Sequence, residues 1–99
     1  MAISFRALSI PVPGGSGTKV VEDTAVFNGD VRRAETAIKS YLFDYSNSDH
    51  HINVIEVMTR VLNTSGNTAR VRVVCRYADQ NFDDGYTGNV EVLVVADVA

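Results

Sequence analysis

The chain has 99 residues, of which 45% are hydrophobic and 21% charged, and its net charge is −3. A chain of that length buries roughly 60 to 70% of its unfolded surface around one core, so a single domain, 1–99, is expected, and the composition is far from that of disorder. The charges form no basic stripe with stacking aromatics, so no nucleic acid is expected as a partner. The longest apolar run, 92–96, falls far short of the about 20 residues that span a bilayer, so no membrane is expected either.

In chain order, residues 2–10 alternate Ile3, Phe5 and Ala7 with Ser4, Arg6 and Leu8, which predicts a strand. Pro11, Pro13 and the run Gly14-Gly15-Ser16-Gly17 end it. A glycine-rich loop can cradle phosphate, but the sequel Thr18-Lys19-Val20-Val21 has neither Walker spacing nor a helix start, so a plain loop is expected. Arg6 interrupts the apolar part of this N-terminal stretch. The stretch therefore does not read as a secretory signal, and a soluble, cytoplasmic protein is expected.

Residues 20–27 form a weaker strand pattern, closed by the turn signal Asn28-Gly29-Asp30. Val31–Tyr45 reads two ways. Val31, Ala34, Ile38, Leu42 and Tyr45 fall at helical spacing with Asp30 as an N-cap. Lys39, Tyr41, Phe43 and Tyr45 alternate with Ile38, Ser40, Leu42 and Asp44, and the aromatic content suits a pleated surface. Ser46-Asn47-Ser48-Asp49 then makes a short polar connection of the kind found in hairpins.

Residues 52–62 are apolar on both faces, which predicts a central strand covered on both sides. Asn63-Thr64-Ser65-Gly66-Asn67 turns the chain back into 69–77, where Ala69, Val71, Val73, Cys75 and Tyr77 share one face and Arg70, Arg72 and Arg76 the other. The arginines read as solvation and edge protection. Cys75, the only cysteine, excludes an internal disulfide and a Cys-based zinc site and reads as core packing. Residues 89–98 are again apolar on both faces, so the second half reads as a three-stranded meander. Two doubly apolar strands in so short a chain need cover, and a homo-oligomer is expected to supply it.

The most chemically loaded stretch is the loop 79–86. Asp79, Asn81 and Asp83 alternate like calcium ligands, but Gly85 comes one residue late and Glu91 lies one past the position of the bidentate glutamate, so no metal is expected. As a sugar site the loop has useful parts. Carboxylates and amides at Asp79, Asn81, Asp83 and Asp84 pair with hydroxyls, and Tyr86, Tyr77 or Phe82 offers a ring to stack on a pyranose face. His50 and His51, after Asp49, point to opposite faces if they lie on a strand, which makes them a poor metal pair and leaves one at the rim of a site. Asp83 and Asp84 are adjacent, whereas glycoside hydrolysis needs carboxylates that flank one bond, so no enzyme activity and no cofactor are expected.

The strand pattern over residues 25–99 resembles the H-type lectin domain, through Phe27 before a turn, the connection around Ser46 to His51, the tip Asn-Thr-Ser-Gly-Asn and the final apolar strand ending Val-Val-Ala-Asp-Val. Arg32-Arg33 stands where that family usually has a pair of prolines, and tryptophan is absent, so no site residue is carried over from it. The resemblance implies an all-β fold, a small antiparallel six-stranded β-sandwich. It also implies assembly as a trimer or hexamer and binding of galactose or N-acetylgalactosamine. The rival fold is α+β and cystatin-like, with Val31–Tyr45 helical. Three functions follow in order: a carbohydrate-binding, lectin-like module; a structural, self-assembling protein with no small ligand; and a small cystatin-like ligand-binding or enzyme domain.

Overall fold

A computed structural model describes residues 2–45, 54–78 and 85–99. They form the strands β1 (Ala2–Val12), β2 (Lys19–Val26), β3 (Val31–Tyr45), β4 (Val54–Ser65), β5 (Thr68–Ala78) and β6 (Tyr86–Val98). The strands make two antiparallel sheets of three, ordered β1-β6-β3 and β2-β5-β4. The fold is thus an all-β sandwich. Among the described residues no helix is long and apolar enough to cross a membrane.

The central strands β5 and β6 carry the core. Their alternation places Val71, Val73 and Cys75 opposite Val90, Val92 and Val94, all fully buried. Each such side chain removed from water contributes about 1.5–3 kcal/mol, which is why two valine-rich strands suffice to hold the sheets together. Cys75 takes its place there as a small apolar side chain.

Val31–Tyr45 is a strand, and its misleading helical spacing has a physical source. Register shifts between Val31 and Arg33 and between Ile38 and Ser40 each insert a residue opposite β6. The inner face therefore runs through Val31, then Ala34, Thr36 and Ile38, then Tyr41, Phe43 and Tyr45, so the bulges bring Val31, Ala34, Ile38 and Tyr45 of the helical pattern onto one face, whereas Leu42 points outward. The cystatin-like alternative is thereby overturned.

Three further expectations are corrected. Residues 54–65 form an edge strand, not a covered central one, because each sheet is only three strands wide and its middle place goes to β5 or β6. The half-exposed Ile55 and the outward Met58, 56% exposed, record that position. The second half is not a meander, since β6 leaves β5 for the other sheet. Nor is the connection after Tyr45 a hairpin, since β3 and β4 belong to opposite sheets. The β4–β5 hairpin does form, with Gly66 at φ 54° between Ser65 and Thr68.

On β1 Leu8, Ile10 and Val12 fill the inner face, with Arg6 in line with them and its guanidinium over the Phe27 ring, and Ile3 and Phe5 face outward, about 60% exposed. The arginines of β5 point outward onto carboxylates. Glu22 accepts from both Arg70 and Arg72, and Arg76 meets Glu56 at 2.5 Å. The Arg72 bond holds the Glu22 carboxyl below its ordinary range. Exposed pairs of this kind add little stability but keep the face wet.

Candidate functional site

One end of the sandwich gathers the aromatic side chains. Tyr41, Phe43 and Tyr45 share the inner face of β3 once the second bulge has reset its register. Tyr45 lies 4.4 Å from Tyr77, Phe43 stacks on Tyr77 at 5.4 Å, and Tyr86 meets both Phe43 and Tyr77 edge-on. Tyr45 pairs with Tyr86 in one sheet, and Val54 with Ala78 in the other. The described residues that flank segments 46–53 and 79–84 therefore meet at this end.

The glycine-rich loop closes the same end from the other side. Gly15 and Gly17, at φ 120° and 85°, turn the chain so that its carbonyls face inward. The Gly15 carbonyl accepts from the Tyr86 backbone N–H at 2.9 Å, and the Gly17 carbonyl from the Tyr86 hydroxyl at 2.7 Å. Lys19 donates its ammonium to the carbonyls of Pro13 and Tyr86 and sits 3.8 Å over the Tyr86 ring. A phosphate cradle would present N–H groups, whereas these inward carbonyls are spent on a tyrosine and a lysine.

Of the residues singled out from sequence, Asp79, Asn81, Asp83, Asp84, His50 and His51 lie outside the described residues, as does Phe82. Tyr86 is described, and it is a core residue with 0% exposure. Its ring faces Lys19, Phe43 and Tyr77, so it supports the site from below and is not open to a pyranose. The aromatic run on β3 had a legible signal, a period of two just before the polar segment Ser46 to Asp49. Tyr41, half exposed, is its most accessible ring. The burial of Lys19 had no such signal, since a lysine beside a glycine loop ordinarily points to solvent.

Burial pushes the Tyr86 hydroxyl up to about 12 and raises the Cys75 thiol, while it lowers the Lys19 ammonium. The signs oppose one another. Tyr86 and Cys75 hold their protons longer in the folded chain, so their contribution is full below their unfolded values and is lost as pH climbs. Lys19 releases its proton earlier when folded, so its contribution grows with pH up to about its ordinary value of 10.5. Between pH 10.0 and about 12 the Tyr86 contribution falls away. Urea midpoints should therefore drop across that window, and in Tyr86→Phe the drop should be shallower. Parallel curves for the two proteins would remove Tyr86 as the cause.

Among the described residues no three His, Cys, Asp or Glu side chains cluster to hold a metal ion. Two surface depressions lie away from the aromatic end. One, of about 230 Å³, involves Met58, Arg60, Arg72 and Val74; the other, of about 280 Å³, involves Ile3, Arg33, Glu35, Val95 and Asp97. Neither gathers a nucleophile with a base. No family model, curated protein or solved structure matches the chain.

Proposed function

We propose that the chain is an oligomeric, non-enzymatic carbohydrate-binding module whose site lies at the aromatic end of the sandwich. The observation that carries this reading is topological. Both polar segments, with His50 and His51 in one and Asp79, Asn81, Asp83 and Asp84 in the other, are bounded by strand ends that meet around Tyr45, Tyr77 and Tyr86. Sugars are bound by such a combination, in which carboxylates and amides take up paired hydroxyls and a ring covers the apolar face. Tyr41 and Tyr45 are the rings offered for that contact. The resemblance to the H-type lectin architecture favours galactose or N-acetylgalactosamine and a trimer or hexamer.

A glycan array should return galactose-type ligands. Replacing Asp83 or Asp84 with alanine should weaken binding at least about tenfold, the loss of one charge-assisted hydrogen bond. An empty array would overturn the sugar reading.

A second reading, self-assembly without a small ligand, is favoured by the outer face of the β1-β6-β3 sheet. Ile3 and Phe5 stand exposed there beside Leu93 and Val95. A free apolar surface of this kind normally marks an interaction site. An empty array together with a sedimenting oligomer would select this reading.

A further inference from the structure

We propose that β4 pairs antiparallel, edge to edge, with β4 of a second copy of this chain, about a two-fold axis at Met58. The inference names a surface for the self-association proposed above, since a two-fold contact makes a dimer or joins two trimers into a hexamer, and it is independent of the sugar.

Each sheet has two edges, and three of the four are blunted. β1 carries Pro11, which has no N–H to offer a further strand. β2 has only 8 residues and aligns Lys19 and Asp23 with the buried Cys75 and Val71 of β5, which puts charges on the inner face. β3 is broken by its two register shifts. β4 runs from Val54 to Val61 in unbroken register with β5, without proline, glycine or an inward charge. Ile55 on its inner face and Met58 on its outer face are both exposed, as an uncovered edge requires.

The charges select the partner and the register. Glu56 and Arg60 lie on the outer face of β4, two positions either side of Met58. Arg60 meets no carboxylate among the described residues. In an antiparallel pair of β4 strands centred on Met58, Glu56 of each copy, which also holds Arg76 of its own chain, stands opposite Arg60 of the other, so the two-fold axis makes the Glu56–Arg60 pair twice. The strand is therefore complementary to itself, which is what an isologous two-fold interface needs. Ile55, Val57, Thr59 and Val61 face inward in each copy through their pairing with β5, and this register puts the inner faces of both copies on the same side of the joined sheet, whereas a one-residue slip would turn one copy over. The two three-stranded β2-β5-β4 sheets would become one continuous sheet.

Two experiments on the full chain test this. Met58→Cys places thiols face to face at the axis, where directly opposed Cα atoms stand about 4.5–5.5 Å apart, within the range of about 4.4–6.8 Å that a disulfide bridges. It should form a covalent dimer on mild oxidation, whereas Val20→Cys, on the opposite edge, should not; native Cys75 is buried and silent. The second experiment is charge exchange. Arg60→Glu and Glu56→Arg should each dimerise about tenfold more weakly, since two like-charged cross-strand pairs replace two opposite ones. Mixing the two variants should restore the dimer, because every pair in the mixed species is again opposite in sign. Failure of Met58→Cys to cross-link beyond the Val20→Cys level, or of the mixture to regain affinity, overturns the inference. A sedimenting oligomer with those negative results places self-association on another face, and a monomer removes both proposals.

Discussion

Tyr86→Ala is expected to cost about 3–5 kcal/mol, the range for deleting a large buried aromatic side chain. Tyr86 closes the aromatic end from below. Its ring packs against Phe43 and Tyr77, its hydroxyl holds the Gly17 carbonyl, and the Lys19 ammonium rests on its face. Removing the ring leaves a cavity and a buried cation without its cover. For a domain whose total stability is about 5–15 kcal/mol, thermal unfolding should shift down on the order of 20 °C. Tyr86→Phe keeps the ring and should lose only about 1 kcal/mol for the hydroxyl bond. Thermal melts followed by circular dichroism separate the two, and an alanine variant as stable as the phenylalanine one would show that the ring does not hold this end.

Gly88→Ala is the second large effect, with an expected loss of about 1–3 kcal/mol from overpacking. Gly88 faces Phe43 across the β3–β6 ladder, and a Cβ there would fall against the Leu42 carbonyl oxygen and the Phe43 ring. The carbonyl belongs to a neighbouring strand and cannot swing aside, so β3 would have to move away from β6. The ring lies over the glycine as aromatic side chains often do beside strand glycines, and displacing it would also disturb its stack on Tyr77. Urea denaturation gives the loss directly, and the near-ultraviolet signal of the tyrosines should weaken with it. By contrast, alanine at Gly14 meets only the Thr87 methyl at 3.6 Å and should be near neutral.

The two effects bear on what was legible in the sequence. The alternation of Ala69 to Tyr77 stated the inner face of β5 outright, because a central strand with one wet face leaves no other solution for valines and arginines that alternate everywhere but at Val74. The strand character of Val31–Tyr45 was obscured by its bulges, which no local pattern announces. The apolar residues on both faces of residues 52–62 suggested a central strand, but double-sided apolarity reports that both faces have something to cover, not that one chain supplies the cover. Ile3 and Phe5 carry the same ambiguity on β1. The hydroxyl-binding capacity of Asp79, Asn81, Asp83 and Asp84 was visible from residue type. That the strand ends bounding this segment lie at the aromatic run was not, since it depends on β3 and β6 pairing until Tyr45 meets Tyr86. Tyr86 itself looked like a loop residue beside Gly85 and proved to be the first core residue of β6.

The aromatic end is thus built as a base. Phe43, Tyr77 and Tyr86 are locked by mutual packing, the glycine loop is tied down by Lys19, and the strand ends that bound the polar segments are set in this packing. Groups whose flanking strands are fixed lose less freedom when a ligand arrives, which is what the proposed recognition of a monosaccharide asks for. The most direct measurement is a titration of isotope-labelled protein with N-acetylgalactosamine, followed amide by amide in heteronuclear NMR spectra. Shifts gathered at Tyr45, Ala78, Gly85 and the intervening polar segments, with those around Phe27 and Gly66 unmoved, are the predicted result. An unchanged spectrum at millimolar sugar, or shifts confined to the Phe27 and Gly66 end, would contradict a site at the aromatic end.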